Sequence, residues 1–507
     1  ILLIACLNYM NLATARSVGR SREVGLRKVV GANRLNLLIQ FLGESVLVSF
    51  MSFFLSLGLV FLLLSPFNRL MDRELTAAAI TAPATLTMML ALTLGVGLIS
   101  GAYPSFFLSA FHPASIFRGI NSKGRNRSQQ LRNTLVVLQF IISISLIGGT
   151  LVMQRQLSYI HNKDLGFTKD YIFTAYIRDP EIRKNYQTVK NELLALPGVM
   201  DVTASAQLPT TIRSNSSANW EGKEEGQNIH VYKMQVDYNT LDFYEINLLE
   251  GRQFSRDMTT DKTSAYILNR SAVNALGWEN ALGKGFSFNR DLPGRVIGVV
   301  EDFHFFPLKL QIEPMAVMLI NSDSEYQGMQ YFSIRILSKN IRQTVEQIQG
   351  TIDTFSPVFP SVYGFFDERV DNMYKSERRL AESFNLFTLI AIGIACMGLF
   401  GLASFSAEQR AREISIRKVL GATASTISIL LVQSFLKWVL IANVIAAPVV
   451  YFSMSRWLTQ FAYRTNLGVD IFVASALLSL MIALLTIGMQ TVKAAAAQPA
   501  EVLRQET

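Results

Sequence analysis

The sequence predicts an α-helical membrane protein: two related three-span units, with one additional span, and an α/β domain inserted outside the cytoplasm. Three observations carry that prediction. Apolar residues come in seven long blocks, one phrase is written twice, and Lys and Arg gather in alternate loops.

The blocks come first. The 507-residue chain is 50% hydrophobic and only 17% charged, below the roughly 25% charged residues of a soluble domain. Apolar runs fall at 1–15, 36–66, 80–109, 131–153, 382–405, 427–454 and 470–492. A helix crossing a bilayer needs about 20 residues. The first run is shorter than that and starts at Ile1 without a Met, so a fragment or a processed product is expected. The 36–66 run is too long for one straight crossing and is expected to tilt or project beyond the bilayer.

Charge sets the orientation. Arg16, Arg20, Arg22, Arg27, Lys28 and Arg34 crowd the 15–35 loop, and Arg118, Lys123, Arg125, Arg127 and Arg132 the 110–132 loop. Arg410, Arg412, Arg417 and Lys418 mark the 406–426 loop. The intervening short loops hold only Arg69 and Arg73, or Arg456 and Arg464. By the positive-inside rule the rich loops are cytoplasmic. Topology therefore accounts for the net charge of +9, and no basic–aromatic groove pattern points to nucleic acid. The bilayer itself is the expected surrounding partner.

Residues 154–380 are left outside the cytoplasm as a mixed α/β domain. "YIFTAYI", "VMDVTAS" and "GRVIGVVEDF" carry the β-branched and aromatic residues of strands. "NYQTVKNELLAL" and "IRQTVEQIQGTIDTF" carry helical periodicity. A second lobe is expected between about 210 and 310, where turns such as "LEGR" and "LPGR" separate short strand-like runs. The division is then 1–119 for the first membrane unit, 120–153 for a cytoplasmic linker and span, 154–380 for the domain and 381–507 for the second unit.

The repeated phrase is "REVGLRKVVGA" at Arg22–Ala32 and "REISIRKVLGA" at Arg412–Ala422. An offset of 390 positions also superposes "IAC" at Ile4–Cys6 on "IAC" at Ile394–Cys396. Further along, "HPASIFR" at 112–118 is similar to "QPAEVLR" at 498–504. This is an internal duplication of a membrane unit. Within each loop Glu23–Arg27 and Glu413–Arg417 are i,i+4 pairs. Leu26, Val29 and Val30, like Ile416, Val419 and Leu420, form an apolar stripe. Gly31 and Gly421 stand where a helix stops. Each loop is thus expected to be a short amphipathic helix whose stripe buries against lipid or a partner protein. Anionic headgroups account for the basic residues. They do not account for a Glu at the same register in both copies, which favours a protein socket.

These stretches resemble the FtsX/MacB-type permease subunits of ABC transporters, in the two-half branch. "NYMNLATARSVGRSREVGLRKVVGA" is similar to the family's membrane signature, and "LRNTLVVLQFIISISLIGGTLVMQRQLSYIHNKDLGF" to the start of its second half. "NRSAVNALGWENALGK", "VIGVVEDFHF" and "DERVDNMYKSERR" resemble its extracytoplasmic core domain. The resemblance implies an eight-span protein with two external domains, truncated here at its N-terminus. It implies that Glu23, Gly25, Arg27, Lys28 and Gly31 contact one protomer of a cytoplasmic ABC ATPase dimer, and Glu413, Arg417, Lys418 and Gly421 the other. Ser415 stands where the first copy has Gly25, which puts that contact in doubt. It implies no cofactor in this chain, with ATP and Mg on the ATPase, and residence in a bacterial inner membrane. The expected function is export of a toxic compound or peptide by mechanotransmission, with an adaptor and an outer-membrane channel as further partners. Lipoprotein extraction and signalling to cell-wall hydrolases stay open.

Other chemistry is thin. "GWENALGKGF" has the wrong spacing for a phosphate-binding loop. Cys6 and Cys396 lie inside apolar runs and form no metal motif. The rival from another class is an enzyme in the external domain using Glu301, Asp302 and His304, if a strand placed carboxylate and imidazole on one face. Glu44 and Lys437, inside spans, are candidates for a relay or for snorkelling at an interface.

Overall fold

The computed structural model describes residues 1–17, 21–109, 122–288, 294–320, 328–409 and 411–496. Arg20, Arg410 and the two Pro-Ala segments at 112–118 and 498–504 lie outside them. The chain divides into two units. One comprises Ile1–Gln156, Arg379–Leu458 and Asn466–Thr507, the other Leu157–Arg378 with Thr459–Thr465.

The first unit is helical. Its elements are α1 (Leu2–Ser17), α2 (Ser21–Val29), α3 (Arg34–Met71), a single turn at Ala77–Thr81, α4 (Pro83–Ser109) and α5 (Ser122–Asn162). Among the described residues, six helices are long and apolar enough to cross a membrane, and Leu2–Ala15 is a shorter apolar one. The 36–66 run lies within α3, whose 38 residues span about 57 Å at 1.5 Å per residue. That exceeds a hydrocarbon core of ~30 Å, so projection beyond the bilayer follows. None of the most apolar window of α3 is buried in the protein, whereas 61% of the corresponding window of α5 is. Lipid is therefore the solvent of α3. Where α3 meets α4 the residues are small: Gly97 lies on Val46 and Ser49, and Gly101 on Ser45. Small side chains let backbones approach where no hydrophobic force separates helix from lipid.

The second unit is a mixed α/β domain. It runs β1 (Ile172–Tyr176), α6 (Tyr186–Leu194), β2 (Val199–Ser205), β3 (Asn215–Ser217), β4 (Asn219–Trp220), β5 (His230–Val236), β6 (Leu248–Gly251), β7 (Ala265–Asn269) and α7 (Arg270–Ala275). It continues with β8 (Gly285–Ser287), β9 (Gly294–Val300), β10 (Met315–Leu319), β11 (Tyr331–Ile336), α8 (Ile341–Phe355), β12 (Val362–Phe365) and α9 (Phe366–Met373). The sheet order is β12-β1-β11-β2-β5-β10-β7-β9-β8-β4, with β3 on β5 and β6 on β9. Among the described residues a single ladder pair, Ser205↔Val236, joins β2 to β5, and that seam separates two cores. On one side Val189 and Leu193 of α6 and Ile348 and Ile352 of α8 cover β1, β2 and β11. On the other, Ala272 and Val273 of α7 pack with Leu268, Val299 and Ala316. The second core matches the lobe expected between 210 and 310.

The chain returns to the helical unit through α10 (Lys375–Gln409), α11 (Ala411–Val419), α12 (Ala424–Leu458) and α13 (Val469–Ala496). Phe140 and Ile144 of α5, Leu399 and Leu402 of α10, Val439 and Ala446 of α12 and Ala483 of α13 form its core. Thr459–Thr465, the loop joining α12 to α13, belongs with the domain, which sequence reading had not assigned to it. The Ala462 N–H donates to Lys309 O (3.1 Å) and the Tyr463 N–H to Leu308 O (3.2 Å).

Candidate functional site: the duplicated helices

Both copies of the repeated phrase fold into a nine-residue helix, α2 and α11, with the acidic residue in the first turn and Arg and Lys in the last. That order complements the helix dipole at both ends. Each stops in the same way. Gly31 and Gly421 take positive φ, +102° and +94°. Their N–H groups donate to Lys28 O (3.1 Å) and Lys418 O (3.0 Å), and those of Ala32 and Ala422 to Arg27 O and Arg417 O, both 2.9 Å. This is a Schellman stop, which glycine reaches without a Cβ penalty. The Glu23–Arg27 and Glu413–Arg417 pairs close at 2.7 and 2.6 Å with side chains about half exposed. Exposed pairs of this kind contribute only ~0.3–0.5 kcal/mol.

Packing decides which face is free. Val24 is fully buried against Leu37 and Phe41 of α3, and Ile414 packs on Ile427 of α12. Sequence reading missed these two positions. The signal was available: Val24 and Ile414 are the apolar residues outside the stripe, each thirteen positions before Leu37 or Ile427. Each short helix is therefore braced on one side by the membrane helix that follows it. The stripe lies open: Val30 and Leu420 are 85% and 80% exposed, and Leu26, Val29, Ile416 and Val419 are exposed too. Arg27 Nη1 donates to Gln40 Oε1 (2.7 Å) and Lys28 Nζ to Ser109 O (2.8 Å). Burial, with Arg34 adding repulsion, lowers the Lys28 pKa. Ser415 is buried, so it offers no surface contact.

The remaining candidates scatter. Glu44 sits on the exposed side of α3, and Lys437 Nζ lies 5.0 Å from the Trp438 ring centre. Asp302 and His304, a carboxylate and an imidazole two apart, would share a face only along a strand, and they lie beyond one. The strand β9 ends at Val300, and each side chain serves a different neighbour. Glu301 accepts from Asn247 (3.1 Å). Asp302 accepts the Ser271 N–H (2.9 Å) and hydroxyl (2.7 Å) at the start of α7. His304 is buried with its ring edge-on to Tyr463 at 4.6 Å. Burial, then the nearby Lys163 charge, pushes its pKa down to about 4. Among the described residues no group of three or more His, Cys, Asp and Glu could hold a metal ion.

Two lipid-facing helical bundles, each with a braced amphipathic helix at the loop end, define a multi-pass membrane protein built by duplication. The family "FtsX-like permease C-terminal" matches at residues 1–113 and 385–499, covering both bundles. The macrolide export ATP-binding/permease protein MacB of Bdellovibrio bacteriovorus is 28% identical over 117 residues, 23% of this chain and 17% of that protein. The protein of the same name from Aggregatibacter actinomycetemcomitans is 23% identical over 310 residues, 58% of this chain and 46% of that one. The chain thus spans less than half the length of these curated relatives. The periplasmic region of MacB from Actinobacillus actinomycetemcomitans superposes with a TM-score of 0.32 and 16% identity, over 42% of this chain and 97% of that one. These matches support an ABC transporter permease of the FtsX/MacB type, with the family's permease region present in both helical bundles.

Proposed function

We propose that this chain is the membrane subunit of an ABC transporter driven by a separate cytoplasmic ATPase dimer, which carries the ATP and Mg. The observation that supports this is the pair of exposed apolar stripes on α2 and α11. An amphipathic helix laid into a hydrophobic groove is a recurrent docking mode. Two such helices in one chain supply one for each protomer of a dimer. Glu23, Arg27, Lys28 and Gly31 serve one protomer, and Glu413, Arg417, Lys418 and Gly421 the other.

The bracing turns docking into movement. As the protomers close, the push on Val24 passes to Leu37 and Phe41, and that on Ile414 to Ile427. The helix α10 is continuous over 35 residues, about 52 Å, and carries motion toward the domain. Its work is export of a toxic compound or peptide from outside the inner membrane, without a pore between these helices. The names of the two curated relatives favour export, and an adaptor and outer-membrane channel would complete the path.

The test uses the full-length permease and its ATPase in lipid nanodiscs. Glu413→Arg/Arg417→Glu, and the same exchange at Glu23 and Arg27, are expected to keep membrane insertion. They should lose co-purifying ATPase, with coupled hydrolysis down about tenfold or more, as when charges are mismatched across an interface. Unchanged assembly and activity would make both helices lipid anchors.

A further inference from the structure

The outer ends of the two halves are built differently. In the first half the turn after α3 stays within the helical unit, and Asp72 pairs there with Arg379 of α10. In the second half the loop after α12, Thr459–Thr465, is part of the α/β domain. Ala462 and Tyr463 donate their N–H groups to Lys309 O and Leu308 O, and two rings add to these bonds. Phe461 is buried, with Lys309 Nζ 5.8 Å from its ring centre. Tyr463 stands edge-on to His304 at 4.6 Å and has Lys163 Nζ at 6.0 Å.

The tether between this fastening and the membrane helix is short. The helix α12 ends at Leu458, three residues before Phe461, and three residues reach at most ~11 Å. Upstream, α12 runs unbroken through Pro448 from Ala424, and its 35 residues cover about 52 Å. At its other end Ile427, in the first turn, packs on Ile414 of α11. A short amphipathic helix, a long rod and a fastening to the domain thus lie in series between Ala411 and Thr465. Coupling is carried by contiguous packed and rigid elements of this kind. The first half has the same input, Val24 on Leu37 and Phe41, but its rod ends inside the helical unit.

We propose that the α12–α13 loop is the output coupling of the second half. Phe461 and Tyr463 are its positioning residues: they fasten α12 to the domain, so that a push on α11 reaches the domain through α12 as well as α10. This rests on the reading of α11 as a docking helix for the ATPase. It adds an asymmetry to that reading, because the same push on α2 has no such outlet at the end of α3.

The experiment separates stiffness from stability. It uses the full-length protein and its ATPase in nanodiscs, with Cys6→Ala and Cys396→Ala. Spin labels on Thr81→Cys, ahead of α4, and on Glu225→Cys, in an exposed turn of the domain, report one distance. Trapping the ATPase with vanadate should shift it by a few ångströms, up to about one helical turn. Six Gly/Ser residues are then inserted between Leu458 and Thr459, and six more between Thr465 and Asn466. The loop keeps its contacts, but each linker gives ~12–15 Å of slack, more than the motion it would have to pass on. ATPase binding and thermal unfolding should stay as in the uninserted protein, while the shift falls to less than half. The same insertion between Arg73 and Glu74 should leave the shift intact. A full shift despite the linkers overturns the proposal and leaves the motion to α5 and α10. An equal loss from the first-half insertion overturns it too, since any outer loop would then do. If the uninserted protein binds no ATPase, the docking reading falls and this proposal with it. If it binds ATPase but shows no shift, docking stands and the output coupling alone is overturned. Should the linkers prevent membrane assembly, Phe461→Ala/Tyr463→Ala decides the point. The shift must then be lost while the ATPase stays bound, and a retained shift overturns the proposal.

Discussion

The two membrane halves share a sequence plan and differ in what covers it. Leu2, Ala5, Cys6 and Tyr9 of α1 correspond to Ile392, Ala395, Cys396 and Leu399 of α10 at the offset of 390. Thr93, Val96 and Ser100 of α4 correspond in the same way to Ser479, Ile482 and Thr486 of α13, at an offset of 386. In the second half these faces meet Phe140, Ser143, Ile144 and Ile147 of α5, and only about 20 Å³ stays open. In the first half the same faces line a space of about 640 Å³. A dense interior without water depends on interdigitated side chains. Within this chain α5 supplies the packing of the second half's faces, and the matching faces of the first half stay open to another occupant. Where the halves meet, position 8 of the first lies on its own counterpart: the Asn8 amide oxygen abuts Gly398.

That crossing is the place to break the comparison. Gly398→Leu forces a side chain into Asn8 and Gln139, and overpacking of this kind costs roughly 3 kcal/mol. Gly393→Leu, on the same helix with nothing within 4 Å of a new Cβ, should be nearly neutral. Thermal unfolding in nanodiscs separates them. Equal effects of the two changes would mean that the halves do not meet at this point.

The outer loops extend the contrast. The first half's turn after α3 pairs Asp72 with Arg379 of α10. The second half's loop instead inserts Tyr463 against His304 of the domain. His304 has a folded pKa of about 4 against ~6.5 when unfolded. Above pH 6.5 neither state is protonated and stability does not change. Between 6.5 and 4 the unfolded chain takes a proton that the folded one refuses, so stability falls as the pH falls, by on the order of 2–3 kcal/mol in all. Lys163 reinforces the shift, while Asp164 and Asp302 oppose it. Hydrogen exchange of residues 459–465 in the full chain should accelerate over that window, and His304→Gln should flatten the dependence. A wild-type profile that is flat from pH 7 to 4 would put the titrating proton elsewhere.

A smaller change probes the seat of α5. A Cβ at Gly148 would sit 3.0 Å from both Val450 methyls, so Gly148→Ala should cost about 1 kcal/mol through crowding. Gly58→Ala in the lipid-facing α3 has nothing within 4 Å and should instead gain a few tenths through helix propensity. Opposite signs in thermal unfolding sharpen the contrast, and matching signs would erase it.

Much of this frame is legible in the chain, for physical reasons. Long apolar runs cannot be satisfied except as spanning helices, and a phrase written twice carries its own register, so the extents of α2 and α11 and both glycine stops could be read directly. Isoleucine and valine on the inner side of those helices escaped notice because burial there depends on a helix that comes after the turn. The role of Thr459–Thr465 was invisible for a related reason. A seven-residue segment between two apolar helices carries no sign that its backbone pairs with Lys309 and Leu308, 153 and 155 residues before Ala462 and Tyr463. In "VVEDFHF", alternation would give Asp302 and His304 a shared face only on a strand, and β9 stops at Val300. Local pattern reports a face only while the period lasts.

The smallest effect is the most informative about the duplicated helices. Glu23→Gln and Glu413→Gln each remove an exposed i,i+4 pair and a favourable charge in the first turn. The loss should be a few tenths of a kcal/mol in helix stability, equal in the two copies because the two pairs match in length and exposure. Exchange of the amides in α2 and α11 should rise by less than about twofold. Coupled ATPase activity is the second readout. If it falls only as far as the exchange predicts, each carboxylate merely steadies its own helix. If it falls several-fold more, the carboxylate acts on the partner, which is the function that a lipid anchor has no use for. A drop at one copy alone would show that the two helices, alike in sequence and fold, do not carry equal shares of the drive.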